Sequence, residues 1–130
     1  MPIVRIELVR GRSTLERRAI MDAVRRTIAE SLKVPDESIT QRMYVLDREC
    51  FDIPPGRSDK YVLIEVTMFP GRSKEAKKKM YSAIVECLGR ETGIDQLDVF
   101  IVVKEPPLPN WGIRGGKPAD EADLGYELKV

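Results

Sequence analysis

The 130-residue chain contains no histidine. Its absence removes the side chain that titrates nearest neutrality, every Ser-His or Cys-His nucleophile pair, and the commonest zinc and iron ligand. The two cysteines, Cys50 and Cys87, stand far apart and in no ligand spacing. They are expected as buried free thiols of a reducing compartment, not as a disulfide or metal framework. Aromatic residues make up only 6%, with Trp111 the single tryptophan, and the strands show no pair of aromatics suited to stacking RNA bases. An excess of one charge is missing too, because 22 Lys and Arg against 21 Asp and Glu leave a net +1. No global field therefore draws the chain to nucleic acid or anionic lipid. The basic runs Arg17-Arg18, Arg25-Arg26 and Lys77 to Lys79 fall among acidic residues on the outer faces of expected helices, the pattern of a solvated surface. Met1 to Arg10 lacks the apolar run of a signal peptide, and no stretch approaches the ~20 apolar residues of a membrane span. The expectation is a cytoplasmic protein with neither a membrane nor a nucleic-acid partner.

What is present is a sentence spoken twice. Hydrophobic residues make up 42% of the chain, enough for one core without disulfide or metal staples. Ile3 to Val9 reads as a strand and Gly11 as a turn. Ser13 with Glu16 makes a capping box, after which Ala19, Ile20, Ala23, Val24, Ile28 and Leu32 recur at helical spacing. Val34-Pro35 ends that helix, and Ile39 to Leu46 reads as a second strand. Tyr61 to Met68 then repeats the first strand, Gly71-Arg72-Ser73 repeats Gly11-Arg12-Ser13, and Ala76, Met80, Ala83, Ile84, Cys87 and Leu88 form a second helical stripe ending at Gly93. Val99 to Val103 is the fourth strand. We read an internal duplication, with a single domain over residues 1–130 made of βαβ repeats at about 1–57 and 58–130. Each repeat closes on an aromatic tail, Phe51-Asp52-Ile53 in the first and Trp111-Gly112-Ile113 with Gly115-Gly116 in the second, both suited to hairpins reaching a neighbour. Such units predict an α/β (α+β) fold, a four-stranded mixed sheet with both helices on one face. The strands read as apolar on both sides, which predicts that oligomerisation covers the open face.

Met1-Pro2-Ile3 opening a strand, Gly11-Arg12-Ser13 closing it, and the aromatic-Gly-Ile tail with its paired glycines resemble the 4-oxalocrotonate tautomerase superfamily. The longer, double-unit members such as malonate semialdehyde decarboxylase look closer still, through Arg57 to Lys60 with the strand after it and through Val34-Pro35. The resemblance covers nearly the whole chain. It implies a homotrimer of β-α-β-β-α-β protomers, sites near subunit boundaries, an amino-terminal proline as catalytic residue, and a reaction that needs no metal or organic cofactor.

On this reading removal of Met1 leaves the secondary amine of Pro2. An α-amino group titrates near ~8, and burial or neighbouring positive charge lowers that value, making a base at neutral pH. An amine that stays cationic acts as an acid instead, as the decarboxylase and hydratase relatives imply. If a pseudo-twofold axis relates the repeats, the start of the first strand lies beside the end of the third, which carries Arg72. Arg72 then either clamps a substrate carboxylate and holds the amine unprotonated, or merely caps its turn. By the same symmetry Arg12 lies beside Lys60, an internal residue with no amine to offer, which makes that second site vestigial or structural. Arg12 nevertheless matches the substrate-binding arginine of the single-unit family. Trp111 and Ile113 match the apolar wall of the family's site, with anchoring of the trimer as the other role for the tryptophan. Arg114 is a candidate second anion-binding group. Two departures stand out: Ser38 replaces the decarboxylase's carboxylate after Val-Pro, and Pro70 after Phe69 replaces a second arginine, which implies a more apolar pocket and a larger or aromatic keto acid. The function expected is isomerisation of a small 2-keto acid or its enol, with lyase activity at the same proline or a catalytically silent trimer as alternatives.

Overall fold

The computed structural model describes residues 1–125, so the last five residues of the second expected repeat lie outside the described residues. Strand β1 (Ile3–Val9) buries Val4, Ile6 and Leu8 completely, while Ile3, Arg5 and Glu7 turn to the other side. Gly11, at φ 142°, makes the exit turn in a backbone region that side chains rarely adopt. Ser13 then caps α1 (Thr14–Leu32): its hydroxyl accepts from the Glu16 amide and the Glu16 carboxylate accepts from the Ser13 amide, each at 3.1 Å. The helix stops at Lys33 in left-handed geometry, just before the Val34-Pro35 pair that cannot continue it. Strand β2 (Thr40–Leu46) completes the unit.

The second unit repeats this with small changes. Strand β3 (Val62–Thr67) leads through Gly71, at φ 123°, to the Ser73 cap of α2 (Lys74–Thr92), which ends at left-handed Gly93 before β4 (Val99–Lys104). Ala76 stands where Glu16 does in α1, so the Ser73 hydroxyl accepts its amide at 3.0 Å but no reciprocal carboxylate bond can form.

The sheet order is β2-β1-β3-β4, with β1 parallel to β2, β3 parallel to β4, and β1 antiparallel to β3. In that central pair Ile6 faces Ile64, its own equivalent 58 residues along. A local twofold therefore passes between them. One face of the sheet packs with Ile20, Val24, Ile28 and Leu32 of α1 and Met80, Ile84 and Leu88 of α2 into the core.

The open face corrects the expectation of strands apolar on both sides. Arg5 is ion-paired with Glu65, whose other oxygen lies 3.0 Å from Lys104 Nζ, and exposed Tyr44 and Phe100 stand toward the two edges. The pleat sorts these charges onto alternate positions, all on the side away from the helices. Two further expectations change. Cys87 is buried but Cys50 is exposed, in a short 3-10 turn (Arg48–Cys50) on the surface. The tail of the first repeat forms no hairpin among the described residues, because Pro54-Pro55 supplies no N–H for a ladder. Phe51 packs instead edge-on against Tyr61, with ring centres 6.1 Å apart. The second tail does pair, as β5 (Gly112–Ile113) with β6 (Lys117–Pro118).

Candidate active site

The antiparallel register brings Ile3 opposite Thr67, so the amino terminus lies at the end of β3 where the chain turns through Phe69 to Arg72. Pro2 is buried, and its carbonyl accepts the Thr40 amide at 3.1 Å, pinning the start of β1 to β2. Arg72 is buried as well, only 8% exposed. Burial, then the guanidinium of Arg72, then that of Arg114 push the Met1 amine down from its ordinary 8.0 to about 5. All three causes act alike, because each disfavours the ammonium form. The unfolded chain takes up a proton between about pH 8 and 5 that the folded chain does not, so this group makes folding less favourable as pH falls through that window.

An apolar wall stands beside the amine. Phe69, Trp111, Ile113 and Ala119 are buried together, with Met1, Ile3, Leu108, Ala122 and Leu124 packed against them. The indole is fixed twice: its Nε1–H donates to the Pro106 carbonyl at 3.0 Å, and its ring meets Phe69 edge-on at 4.7 Å. The Trp111 carbonyl accepts the Ala119 amide at 3.0 Å, which ties the following segment to the hairpin. Low polarity here strengthens the field of the nearby guanidinium groups.

Arg114 occupies the hairpin turn at φ 45°, followed by Gly115 and Gly116 at φ 87° and 88°. Its guanidinium donates to the Asp123 carbonyl and, at 3.3 Å, to that of Leu124. Pro2, Arg72, Trp111, Ile113 and Arg114 are thus gathered at one end of the molecule.

Arg12 is not among them. It follows the far end of β1, roughly 20 Å away by strand rise, and its Nη2 donates to the Lys60 carbonyl at 2.6 Å. Its Nη1 is buried without an acceptor among the described residues. Burial lowers its pKa, against the opposing pull of Glu16, Asp59 and Asp98. Buried Asp98 accepts from the Ser58 amide at 2.9 Å and from its hydroxyl at 2.5 Å. Burial alone would raise its pKa, yet these bonds, with Arg57 and Arg12, leave it below the ordinary 3.8. Sequence reasoning missed this Ser58–Asp98 pair and the wall residues Leu108, Ala119 and Leu124. Ser58 lies within the Arg57 to Lys60 segment and Asp98 just before β4, whereas no motif marks Leu108, Ala119 or Leu124. A cleft of about 670 Å³ along α2, lined by Tyr81, Val85 and Ile94, contains none of these residues. No helix among the described residues is long and apolar enough to cross a membrane.

A four-stranded mixed sheet under two helices, with a short antiparallel hairpin beside the chain terminus, is the architecture of 4-oxalocrotonate tautomerase-like proteins. The chain belongs to the tautomerase family, since residues 38–114 match the family model described as tautomerase enzyme. It is similar to the probable tautomerase YusQ of Bacillus subtilis (strain 168), 26% identical over 122 residues covering 90% of this chain and 96% of that one. A solved FG41 malonate semialdehyde decarboxylase inhibited by 3-bromopropiolate is 32% identical, with a TM-score of 0.80 over 89% of this chain and 92% of the other. A fused 4-OT asymmetric trimer shares the fold at 18% identity, with a TM-score of 0.81 over 95% of this chain and 99% of that one.

Proposed function

We propose that the mature chain is a tautomerase that moves a proton within a small 2-keto acid or its enol, with the Pro2 nitrogen as base. The observation that carries this reading is the depressed amine at the amino terminus, set between Arg72, Arg114 and the Trp111 wall. Removal of Met1 transfers the terminal charge to Pro2, which is itself buried, so burial, Arg72 and Arg114 act on its nitrogen in the same direction, toward the neutral form. That nitrogen accepts the enol hydroxyl proton, and the resulting ammonium returns a proton to carbon, so the substrate is isomerised with no net uptake or release. Arg72 holds the carboxylate and Arg114 adds positive charge, while Trp111 and Ile113 exclude water. Arg12, at the opposite end, has a structural role in this reading. The trimeric fused 4-OT relative supports a homotrimer whose protomers close the sites.

A decarboxylase or hydratase reading is favoured by the 32% identity to malonate semialdehyde decarboxylase. Acid catalysis of that kind asks for a cationic amine at neutral pH, and this amine is pushed the other way. The Ser38 hydroxyl donates to the Pro35 carbonyl at 2.7 Å and leaves no carboxylate at that position. Mass spectrometry of the purified chain should find Met1 removed, and ketonisation of phenylenolpyruvate or 2-hydroxymuconate should be catalysed and lost in Pro2→Ala. A processed chain with no such activity but with carbon dioxide release from malonate semialdehyde would replace the first reading with the second.

A further inference from the structure

Arg114 is a misfit at its own position. A hairpin turn at positive φ favours Gly or Asn, and a branched or long side chain there is strained. Backbone strain that persists in a non-glycine residue points to a use for its side chain. The residue is exposed, and an arginine in water spreads over many rotamers unless something holds it. What holds it lies in one short turn: the carbonyls of Asp123 and Leu124 accept from its two Nη groups. That turn is itself built. The Asp123 carboxylate accepts the Gly125 amide at 3.0 Å, and Gly125 sits at φ 76°, a conformation suited to glycine. On its inner side Ala122 and Leu124 rest on the Trp111 wall beside Met1.

We infer that the Asp123–Gly125 turn is a positioning element for Arg114, whose guanidinium it holds at the amino terminus by two backbone carbonyls. The inference rests on the proposed site and deepens it. Neither Asp123 nor Gly125 touches the reacting atoms; they act through Arg114 on the amine. The charged groups that act on the amine are Arg72 from the turn after β3 and Arg114 from the hairpin, while the Asp123 carboxylate is engaged with the Gly125 amide. Loosening the turn therefore removes one of two cationic influences.

The test is an NMR titration of the amino terminus, labelled with 15N at its first residue, in the parent chain, Arg114→Ala, Asp123→Ala, Gly125→Val and the Arg114→Ala/Asp123→Ala double variant. Thermal melts establish that each is folded at the titration temperature. Arg114→Ala should shift the midpoint upward, Asp123→Ala and Gly125→Val should shift it the same way by less, and the double variant should match Arg114→Ala alone. Turn variants that titrate like the parent, an Arg114→Ala chain with an unmoved midpoint, or additive shifts in the double variant would each overturn the inference. Turnover is not the readout, so a chain without tautomerase activity would sink the proposed function and still report on this one.

Discussion

At one end of the β1–β3 pair a chain terminus meets Arg72, Trp111 and Phe69; at the other, 58 residues along, the backbone runs on through Lys60 and meets Arg12 near Phe51 and Tyr61. Each end has a buried arginine from a Gly-Arg-Ser turn and an edge-on aromatic pair. They differ in what the guanidinium finds. Arg12 finds a backbone carbonyl at 2.6 Å, which ties a loop to a helix start. Arg72 lies near an amine that can change its charge, and its field becomes a pKa shift. The same side chain in the same turn thus meets a backbone carbonyl in one place and acts on the Met1 amine in the other.

The comparison breaks most visibly through the amine. Pro2→Ala should lower kcat/KM by about 10²-fold or more, within the span of general acid–base catalysis, whereas Lys60→Ala should change it by less than about twofold; steady-state assays with an enol substrate measure both. The two arginines should then separate by type of defect. Arg72→Ala is expected to lower kcat/KM by about 10²-fold and to raise the amine's pKa, while Arg12→Ala should leave turnover nearly intact and destabilise by about 1–3 kcal/mol through the lost bond to Lys60, read by urea denaturation. Trp111→Ala should cost about 3–5 kcal/mol and Phe51→Ala about 1–2 kcal/mol, since Phe51 is only half-buried. The smallest effect concerns Asp98. Its folded-state pKa lies below 3.8, so it stabilises the fold above that pH and the contribution is lost as pH falls through the lower value. Asp98→Asn should flatten that acid decline in Tm.

Much of this architecture was legible in the residues, and the reason is local. Ser13 with Glu16, Gly11, Gly71, Gly93 and Val34-Pro35 are signals whose effect is confined to a few neighbouring bonds, and β1 spans Ile3–Val9 as its run of apolar residues implies. The antiparallel approach of Ile3 to Thr67 followed from treating the repeat as a twofold, which also foretold Arg12 beside Lys60. What escaped depends on partners distant in the chain. Strand composition alone suggests two apolar faces, whereas the pleat gathers Arg5, Glu65 and Lys104 on one side. The first tail shares an aromatic with the second, but its Pro54-Pro55 supplies no N–H for a ladder. Arg114's partners, two carbonyls about ten residues away, leave no trace in side-chain pattern.

The pH dependence of kcat/KM for phenylenolpyruvate ketonisation by the processed chain addresses the role of the amine most directly. An acid limb with an apparent pKa well below 8 that moves upward in Arg72→Ala is the result this account predicts. A limb at or above 8, or turnover that grows as the amine gains its proton, would contradict it.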